Sequence, residues 1–428
     1  MTSTQGIVVA LGGEKRFGTL VTEDAPRHML ELGFHPLVWY ALRTLERGGV
    51  RDVFLVAAGE ANAAVFREWL ADSYRGACDV AVLAAPEDAD TADAVRAARD
   101  RLVSDAVVVV HGDLVTGVSP RALLAAHARR GAVLTSLLAP RRPWCPVETK
   151  SGRPPKNAHY VGLAADGETL LFVGDDADVD KVLKLRRPVL RAAPDVDVRA
   201  DLLQAGMFVF DVRALLDLLD AKPHFRSLRA DVVPALTRRA ASADASAKAE
   251  ARDDDQNQNL KPKPRRRLAR RPCLAHVSDE AEYCAAVNTV APAYVEVSRE
   301  VASSAPGDAA HLIGRAASKY DNFVDPGVVI GAKSTVGPGC VVRRDARLGE
   351  KCSVKRSVVG EGASVGAGVK IVNSIVMPRA TIEDGCVVQG CVVGPRAVVG
   401  AGTTLRECVV RAEAEVEEGE DLRAETLK

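Results

Sequence analysis

The stretch "LGGEKRFGTLVTEDAPRHML", Leu11 to Leu30, follows the apolar run "GIVVA" directly. A strand that empties into a glycine pair, here Gly12 and Gly13, has the make-up of a phosphate-binding turn, because bare backbone lets N–H groups approach an anion. Glu14 and Lys15 come next, and their side chains crowd the place where such a turn needs open backbone. Glu14 also puts negative charge where a phosphate would sit. A second candidate group is Asp113, which closes the Val-rich run "VVVVHGDLVT". A carboxylate there would stand at the carboxyl edge of a parallel sheet, where open α/β folds bind ligands. The nine cysteines contain no C-x-x-C pair, so their spacing nominates neither a metal nor a redox site.

These groups need a framework, and the first third of the chain supplies one. Apolar runs such as "GIVVAL", "DVFLVAAG", "DVAVLAA", "DAVVVVHGD" and "AVLTSLLA" alternate with amphipathic stretches such as "PLVWYALRTLERGG" and "SPRALLAAHARR". Continuous Val/Leu runs are strands buried on both faces, and the alternation is that of successive βαβ units. Residues 1 to about 240 therefore read as an open, mostly parallel sheet of dinucleotide-fold type. The segment 241–272, "ASADASAKAEARDDDQNQNLKPKPRRRLARRP", has almost no large apolar residue and reads as a disordered insertion. Its basic half, 261–271, has the charge of an RNA-binding or nuclear-import patch, but it lacks the interleaved aromatics that stack on bases, which favours a solvated linker. The sheet domain resumes at "CLAHVSDEAEYCAAVNTV" and closes near residue 300, with a linker over 301–325.

Composition narrows the class further. With 428 residues, 47% of them apolar, and zero formal net charge, the chain can bury two or three cores. A neutral balance excludes a protein built to coat nucleic acid or anionic membrane. There is no apolar run of about 18 residues to span a bilayer. The start "MTSTQGIVVALGG" lacks a basic n-region and a cleavage site, so a cytosolic protein with reduced thiols is expected.

Residues 326–428 carry a repeat. From Ser357 the chain writes as four rows of equal length: "SVVGEGASVGAGVKIVN", "SIVMPRATIEDGCVVQG", "CVVGPRAVVGAGTTLRE" and "CVVRAEAEVEEGEDLRA". One column holds Val359, Val376, Val393 and Val410. A second holds Val365, Ile382, Val399 and Val416, and a third Ile371, Val388, Leu405 and Leu422. Each hexad is a short strand plus a corner, and three make one triangular coil with the aliphatic side chain inside. Burying such a side chain gains roughly 1.5–3 kcal/mol, while ordering each residue costs about 1–2 kcal/mol, so only a stack of coils folds. The motif resembles the hexapeptide repeat of left-handed parallel β-helices. Acyltransferases of that type need a histidine base, and the last histidine here is His311, upstream of the repeat. Cys391 and Cys408 share a column with Ser357 and Ser374, which marks them as small corner residues.

An α/β domain followed by a hexapeptide β-helix resembles the layout of nucleotide-sugar pyrophosphorylases. That family carries G-G-x-G-T-R-L at its first turn and P-K-P about ten residues on. By this resemblance Gly12, Gly13 and Arg16 correspond to the phosphate loop, and Arg27, with His28, falls where the Lys of P-K-P would neutralise the leaving pyrophosphate. Asp113 corresponds to the first of two magnesium carboxylates. The second belongs to a W-x-D-x-G stretch, and "RRPCLAHV" in its place holds no acid. The sugar-phosphate motif E-K-P has no match, while "QAGMFVF" resembles the N-A-G strand. The resemblance implies a remnant of the site, with no catalytic residue, metal or cofactor retained.

A narrower likeness covers nearly the whole chain. "LGGEKRF…HPLVWYALRTLERGGVRDVFLV", "HGDLVTGVSPRALLAAHARRG", "SLRADVVPALTRR", "EYCAAVNTVAPAYVEVSRE", "SVKRSVVGEGASVG" and "GCVVQGCVVG" resemble the gamma-subunit family of eukaryotic translation initiation factor 2B. That family belongs to the nucleotide-exchange factor for the GTPase that carries initiator tRNA, initiation factor 2. The resemblance implies pairing with the epsilon subunit and membership with the other initiation factor 2B subunits, with no direct nucleic-acid or membrane partner. The final "EEGEDLRAETLK" follows the last coil without the helical exchange domain of epsilon, as expected of gamma. The column logic also sets an expectation for two neighbours. Val393→Asp, inside the prism, is expected to be severe, and Val392→Asp, pointing outward, far milder in a urea melt of the isolated chain.

Overall fold

The computed structural model describes residues 4–11, 17–22, 26–142, 159–175, 195–242, 271–279, 282–302 and 319–428, with the single positions 187, 190 and 193. It divides into two compact units. The first comprises Met1–Gly12, Leu42–Leu114 and Val118–Glu280, and the second Gly13–Ala41, Val115–Gly117 and Ala281–Lys428.

In the first unit the Val/Leu runs form a seven-stranded sheet. Its strands are β1 (Gln5–Ala10), β2 (Asp52–Ala58), β3 (Asp79–Ala85), β4 (Ala106–His111), β5 (Leu134–Pro140), β6 (Leu202–Asp211) and β7 (Cys273–Val277), and their order is β7-β5-β6-β4-β1-β2-β3. Pairs β1–β2, β1–β4, β2–β3 and β5–β7 are parallel, and β6 runs antiparallel to both β4 and β5. The sheet is therefore mostly parallel. All of β1 is buried, as are Val107 to Val110, because helices cover both faces. The helix Pro120–Arg130 shows how local chemistry frames these crossovers. Ser119 caps it, Pro occupies the first turn, basic residues fill the last, and Gly131 closes it in the left-handed region at φ 55°.

The expected insertion is narrower at both ends. Ala241 is buried at the end of a helical run. Arg271 donates to the carbonyls of Gly131 and Ala132 and pairs with Asp211, which itself caps the helix Val212–Ala221. These two ends belong to the folded domain because each spends its polar or apolar group inside it. Positions 243–270 lie outside the described residues, as do 303–318 of the expected linker. The remainder of that linker is structural at both ends: Val301 and Ala302 close the helix Val295–Ala302, and Asn322–Val324 already pairs in parallel with Cys340–Val342. The stack of coils thus begins before residue 326.

In the second unit the hexads build a prism of three parallel sheets, with seven, six and six strands. The first sheet joins Val359, Val376, Val393 and Val410 as neighbours. The second joins Val365, Ile382, Val399 and Val416, and the third Ile371, Val388, Leu405 and Leu422. Val359, Val365, Ile371, Val376, Ile382, Val388, Val393, Val399 and Leu405 are each at most 3% exposed, in one continuous apolar core. The pattern loosens at the first coil, where Ile330 is 43% exposed because its strand is the edge of its sheet.

The glycines that follow the inward aliphatic residue do not form the left-handed corners. The left-handed corners fall elsewhere, on residues such as Lys333, Lys351, Arg356 and Arg396. Gly349 and Gly394 are required by close approach instead. A Cβ on Gly349 would lie 2.6 Å from the backbone of Gly366 in the next coil, and one on Gly394 would lie 2.5 Å from the amide of Ala412. At another corner the small column works as a ladder. The Ser357 hydroxyl accepts from the Ser374 amide and the Ser374 hydroxyl from the Cys391 amide, both at 3.1 Å, and the Cys391 sulfur accepts from the Cys408 amide at 3.3 Å.

The outward face of the first sheet is covered, which corrects the expectation for Val392. Val341, Val358, Ile375 and Val392 are all at most 4% exposed. The helix Val295–Ala302 packs on the strands Cys340–Val342 and Val358–Val359, and the Thr19 carbonyl accepts from the Ala412 amide at 2.8 Å. A carboxylate at 392 therefore meets protein instead of water. In urea titrations, Val393→Asp and Val392→Asp are both expected to cost several kcal/mol. Ser364→Asp, on the exposed face of the second sheet, is expected to stay within about 0.5 kcal/mol of the parent. A mild Val392→Asp would show that the first sheet's outer face is open in solution.

Candidate functional site

Gly12, Gly13 and Arg16, expected to be what remains of a nucleotide loop, lie outside the described residues. Their neighbour Phe17 is fully buried. Arg27 opens a short 3₁₀ turn, Arg27–Met29, held after the extended Pro26. It is only 5% exposed. Its Nη2 donates to the Val287 carbonyl at 2.8 Å, and the guanidinium stacks over the Phe17 ring with its carbon 4.9 Å from the centroid. Phe17 in turn meets Tyr294 edge-on at 6.4 Å. The cation at the position of the pyrophosphorylase Lys is thus held by a carbonyl and an aromatic face within its own unit.

Asp113 sits two residues beyond β4 and is half-buried. The turn before it is tied to β1, since the Gly112 amide donates to the Val9 carbonyl at 2.9 Å. The strand that would supply a second metal carboxylate is β7, and it reads Cys-Leu-Ala-His-Val. Its Cys273, Leu274 and Ala275 are buried, and the first acid after it, Asp279, is exposed. Among the described residues no group of three or more His, Cys, Asp and Glu side chains could hold a metal ion. The "QAGMFVF" run lies on β6. Gly206 there adopts φ 92°, and a Cβ would meet the His111 ring at 3.1 Å, so two requirements fix glycine at that point.

The sequence reading did not find the cluster centred on Arg343. The hairpin Glu31–Pro36 turns at Gly33, whose φ is 66° and whose Cβ would come within 2.7 Å of the Val301 side chain. Arg343, on the β-helix, donates through Nη1 to the Gly33 carbonyl at 3.2 Å and through Nε to Asp325 at 2.9 Å. It lies 3.8 Å from Glu31 and stacks over Phe34, which meets Phe323 edge-on at 5.3 Å. Tyr40 and Tyr294 hold the same hairpin by donating to the carbonyls of Leu32 and Glu31. Burial raises the Glu31 carboxyl pKa above its usual range, with Arg343 opposing that shift. Glu31 Oε2 is buried with no hydrogen-bond partner. One signal was available in the sequence: Arg343 occupies the place after the aliphatic residue where Gly360 and Gly394 stand in later coils.

Two family models match the chain. The nucleotidyl transferase model covers residues 5–144, and the EIF2B subunit epsilon LbH domain model covers residues 319–422. Fold and matches together define a nucleotidyl-transferase-like α/β sheet joined to a left-handed parallel β-helix. Within that class the chain is similar to named proteins over both parts. It is 26% identical to the translation initiation factor eIF2B subunit gamma of Dictyostelium discoideum over 395 residues, which cover 84% of this chain and 88% of that relative. It is 25% identical to the eIF2B subunit gamma of Schizosaccharomyces pombe over 237 residues, 55% of this chain and 51% of that relative. No helix among the described residues is long and apolar enough to cross a membrane.

The Arg343 cluster yields a pH-dependent expectation. Arg343→Met should destabilise the chain by about 3 kcal/mol in urea, since it leaves a buried carboxylate beside no guanidinium. Glu31→Gln should act in the opposite direction. A carboxyl whose folded pKa is raised contributes stability below its unfolded value of 4.5, and that contribution is lost as pH rises through the folded value. The glutamine variant lacks that loss, so its advantage over the parent should grow from about pH 4 to pH 7. An advantage independent of pH would show that Glu31 is not ionising in its buried position.

Proposed function

We propose that this chain is a non-catalytic gamma-type subunit of the translation initiation factor 2B complex. It pairs with an epsilon-type subunit, joins the other subunits, and supports GDP/GTP exchange on initiation factor 2, the GTPase that carries initiator tRNA. The observation that carries this reading is the similarity to eIF2B gamma along 84% of the chain. It is supported by the way the pyrophosphorylase positions are used. Arg27 directs its charge at a carbonyl and a ring, and β7 offers no carboxylate beside Asp113 to complete a magnesium pair. Phosphoryl-group transfer relies on cations and metal placed where charge develops, and neither Arg27 nor β7, as described, is arranged to supply them. The cytosol is the compartment this role requires.

Two assays test the reading. Incubated with GTP or ATP, a sugar phosphate and Mg²⁺, the purified chain should release no pyrophosphate above a denatured control. In a fluorescent-GDP release assay it should leave the GTPase unaccelerated alone, yet raise the rate of an added epsilon subunit. Pyrophosphate turnover, or an epsilon rate that does not change when the chain is bound, would sink the proposal.

A further inference from the structure

The seven-stranded sheet ends at β3 on one side and β7 on the other, and the two edges are finished differently. On the outer side of β7 the Ala275 amide donates to the Glu168 carbonyl at 2.7 Å, and Leu274 bridges antiparallel to Thr169. That edge is covered by the chain itself. β3 pairs in register with β2 along all seven of its residues, without a bulge. Its Asp79 amide donates to the Arg51 carbonyl at 2.7 Å. Backbone alternation then turns the N–H and C=O of Val80, Val82 and Ala84 away from β2. None of these six groups has a hydrogen-bond partner among the described residues.

Exposed edges are usually blunted by Lys, Pro, a bulge or a covering segment. β3 reads Asp-Val-Ala-Val-Leu-Ala-Ala, one acid and then six uncharged residues, and Pro86 comes only after the strand has ended. Val80 to Leu83 are half-buried and Ala84 is exposed. The outward row is a line of alternating partial charges, positive at each N–H and negative at each C=O. Turned about a two-fold axis at Val82, that row becomes its own complement. Val82 exchanges two hydrogen bonds with its copy, and Val80 exchanges two with Ala84 on either side, so six bonds use all twelve groups. Val80 meets Ala84, Ala81 meets Leu83, and Asp79 stands opposite Ala85, so no like charges face each other across the paired residues. Beyond the strands, Arg75 and Asp79 of one copy approach Glu87 and Asp88 of the other, a mixed set of charges.

We propose that β3 is an interaction surface for a second copy of the same chain, joined edge to edge and antiparallel, so that two seven-stranded sheets become one. The antiparallel pair closes on its axis and leaves no further edge of that kind open, as an isologous contact does. β7 is not available as the partner edge, because its outer side is already bonded. The inference goes beyond the role proposed above and does not depend on it.

Sedimentation of the full-length chain at up to about 0.1 mM should show a two-chain particle. Backbone bonds and apolar side chains hold it, so it should change little between about 0.05 M and about 0.5 M salt. In that particle the Val80, Val82 and Ala84 amides should exchange hydrogen slowly. Dilution to single chains should release those three while Ala81 and Leu83 stay protected. Val82→Cys sets one thiol opposite its copy with Cα atoms about 5.5 Å apart, inside the roughly 4.4–6.8 Å span of a disulfide. Mild oxidation should therefore join two chains at position 82 beyond the parent's background, whereas Val80→Cys, about 14 Å from its own copy, should not join them. Val82→Pro removes an N–H that β2 does not use, so circular dichroism should show it folded, and it should associate at least about tenfold more weakly. A parent chain that stays single at these concentrations, including one that pairs only with a different protein along β3, overturns the proposal. So does a two-chain particle whose three amides remain fast, or a cross-link that forms as readily from position 80 as from 82.

Discussion

Arg343 is a cation taken out of water, and much of the second unit is arranged to accommodate it. A guanidinium in that position must find carboxylate, carbonyl and aromatic partners or it opposes folding. It finds Asp325 from the first coil, the Gly33 carbonyl from the hairpin and the face of Phe34. These partners come from segments about three hundred residues apart, so the pairing cannot be local. It fixes the hairpin, and the hairpin's close approach to Val301 fixes the helix Val295–Ala302, which covers the outer face of the first sheet. Gly13–Ala41 therefore belongs with the β-helix in the second unit, although it follows the first strand of the sheet directly. In this chain the segment downstream of the glycine pair has become part of a wall.

The β-helix was legible because its period is enforced by packing alone. An aliphatic side chain every fifth or sixth residue has one solution, and the columns read from Val359, Val365 and Ile371 onward are the ladders observed. The burial of Val392 was not legible, since the first sheet is covered from outside the repeat, where the helix Val295–Ala302 packs on it and Thr19 reaches Ala412. The role of the glycines was hidden for a related reason. A glycine after a strand suggests a turn, whereas Gly349 and Gly394 answer to the coil above them, a neighbour one row away that spacing does not show. Corners accept Lys, Arg or Glu at positive φ when the remaining packing holds them there.

At the sheet's remnant site the same division appears. The sequence shows which groups differ from a pyrophosphorylase, but it does not show what the replacements do. Arg27 retains a positive charge, so residue type alone would allow phosphate binding. In the structure it donates to the Val287 carbonyl and lies over the Phe17 ring. The boundaries set at 241, 272 and 326 were misplaced for a simpler reason: one buried Ala at 241, one ion pair at Arg271 and one short strand at Asn322–Val324 carry too little composition to be seen in a window.

The corner ladder of hydroxyls and thiols has a chemical consequence. The eight described cysteines are all buried and outside disulfides, and five of them lie inside the prism. Burial pushes the Cys391 thiol up to about 11. At neutral pH only about one such group in ten thousand is a thiolate, the form that reacts with oxidants and alkylating reagents. The prism therefore keeps the Cys391 sulfur chemically silent for as long as the coils around it stay stacked. Each thiol becomes a clock for the opening of its own coil, so that labelling along the axis would record where the stack first comes apart.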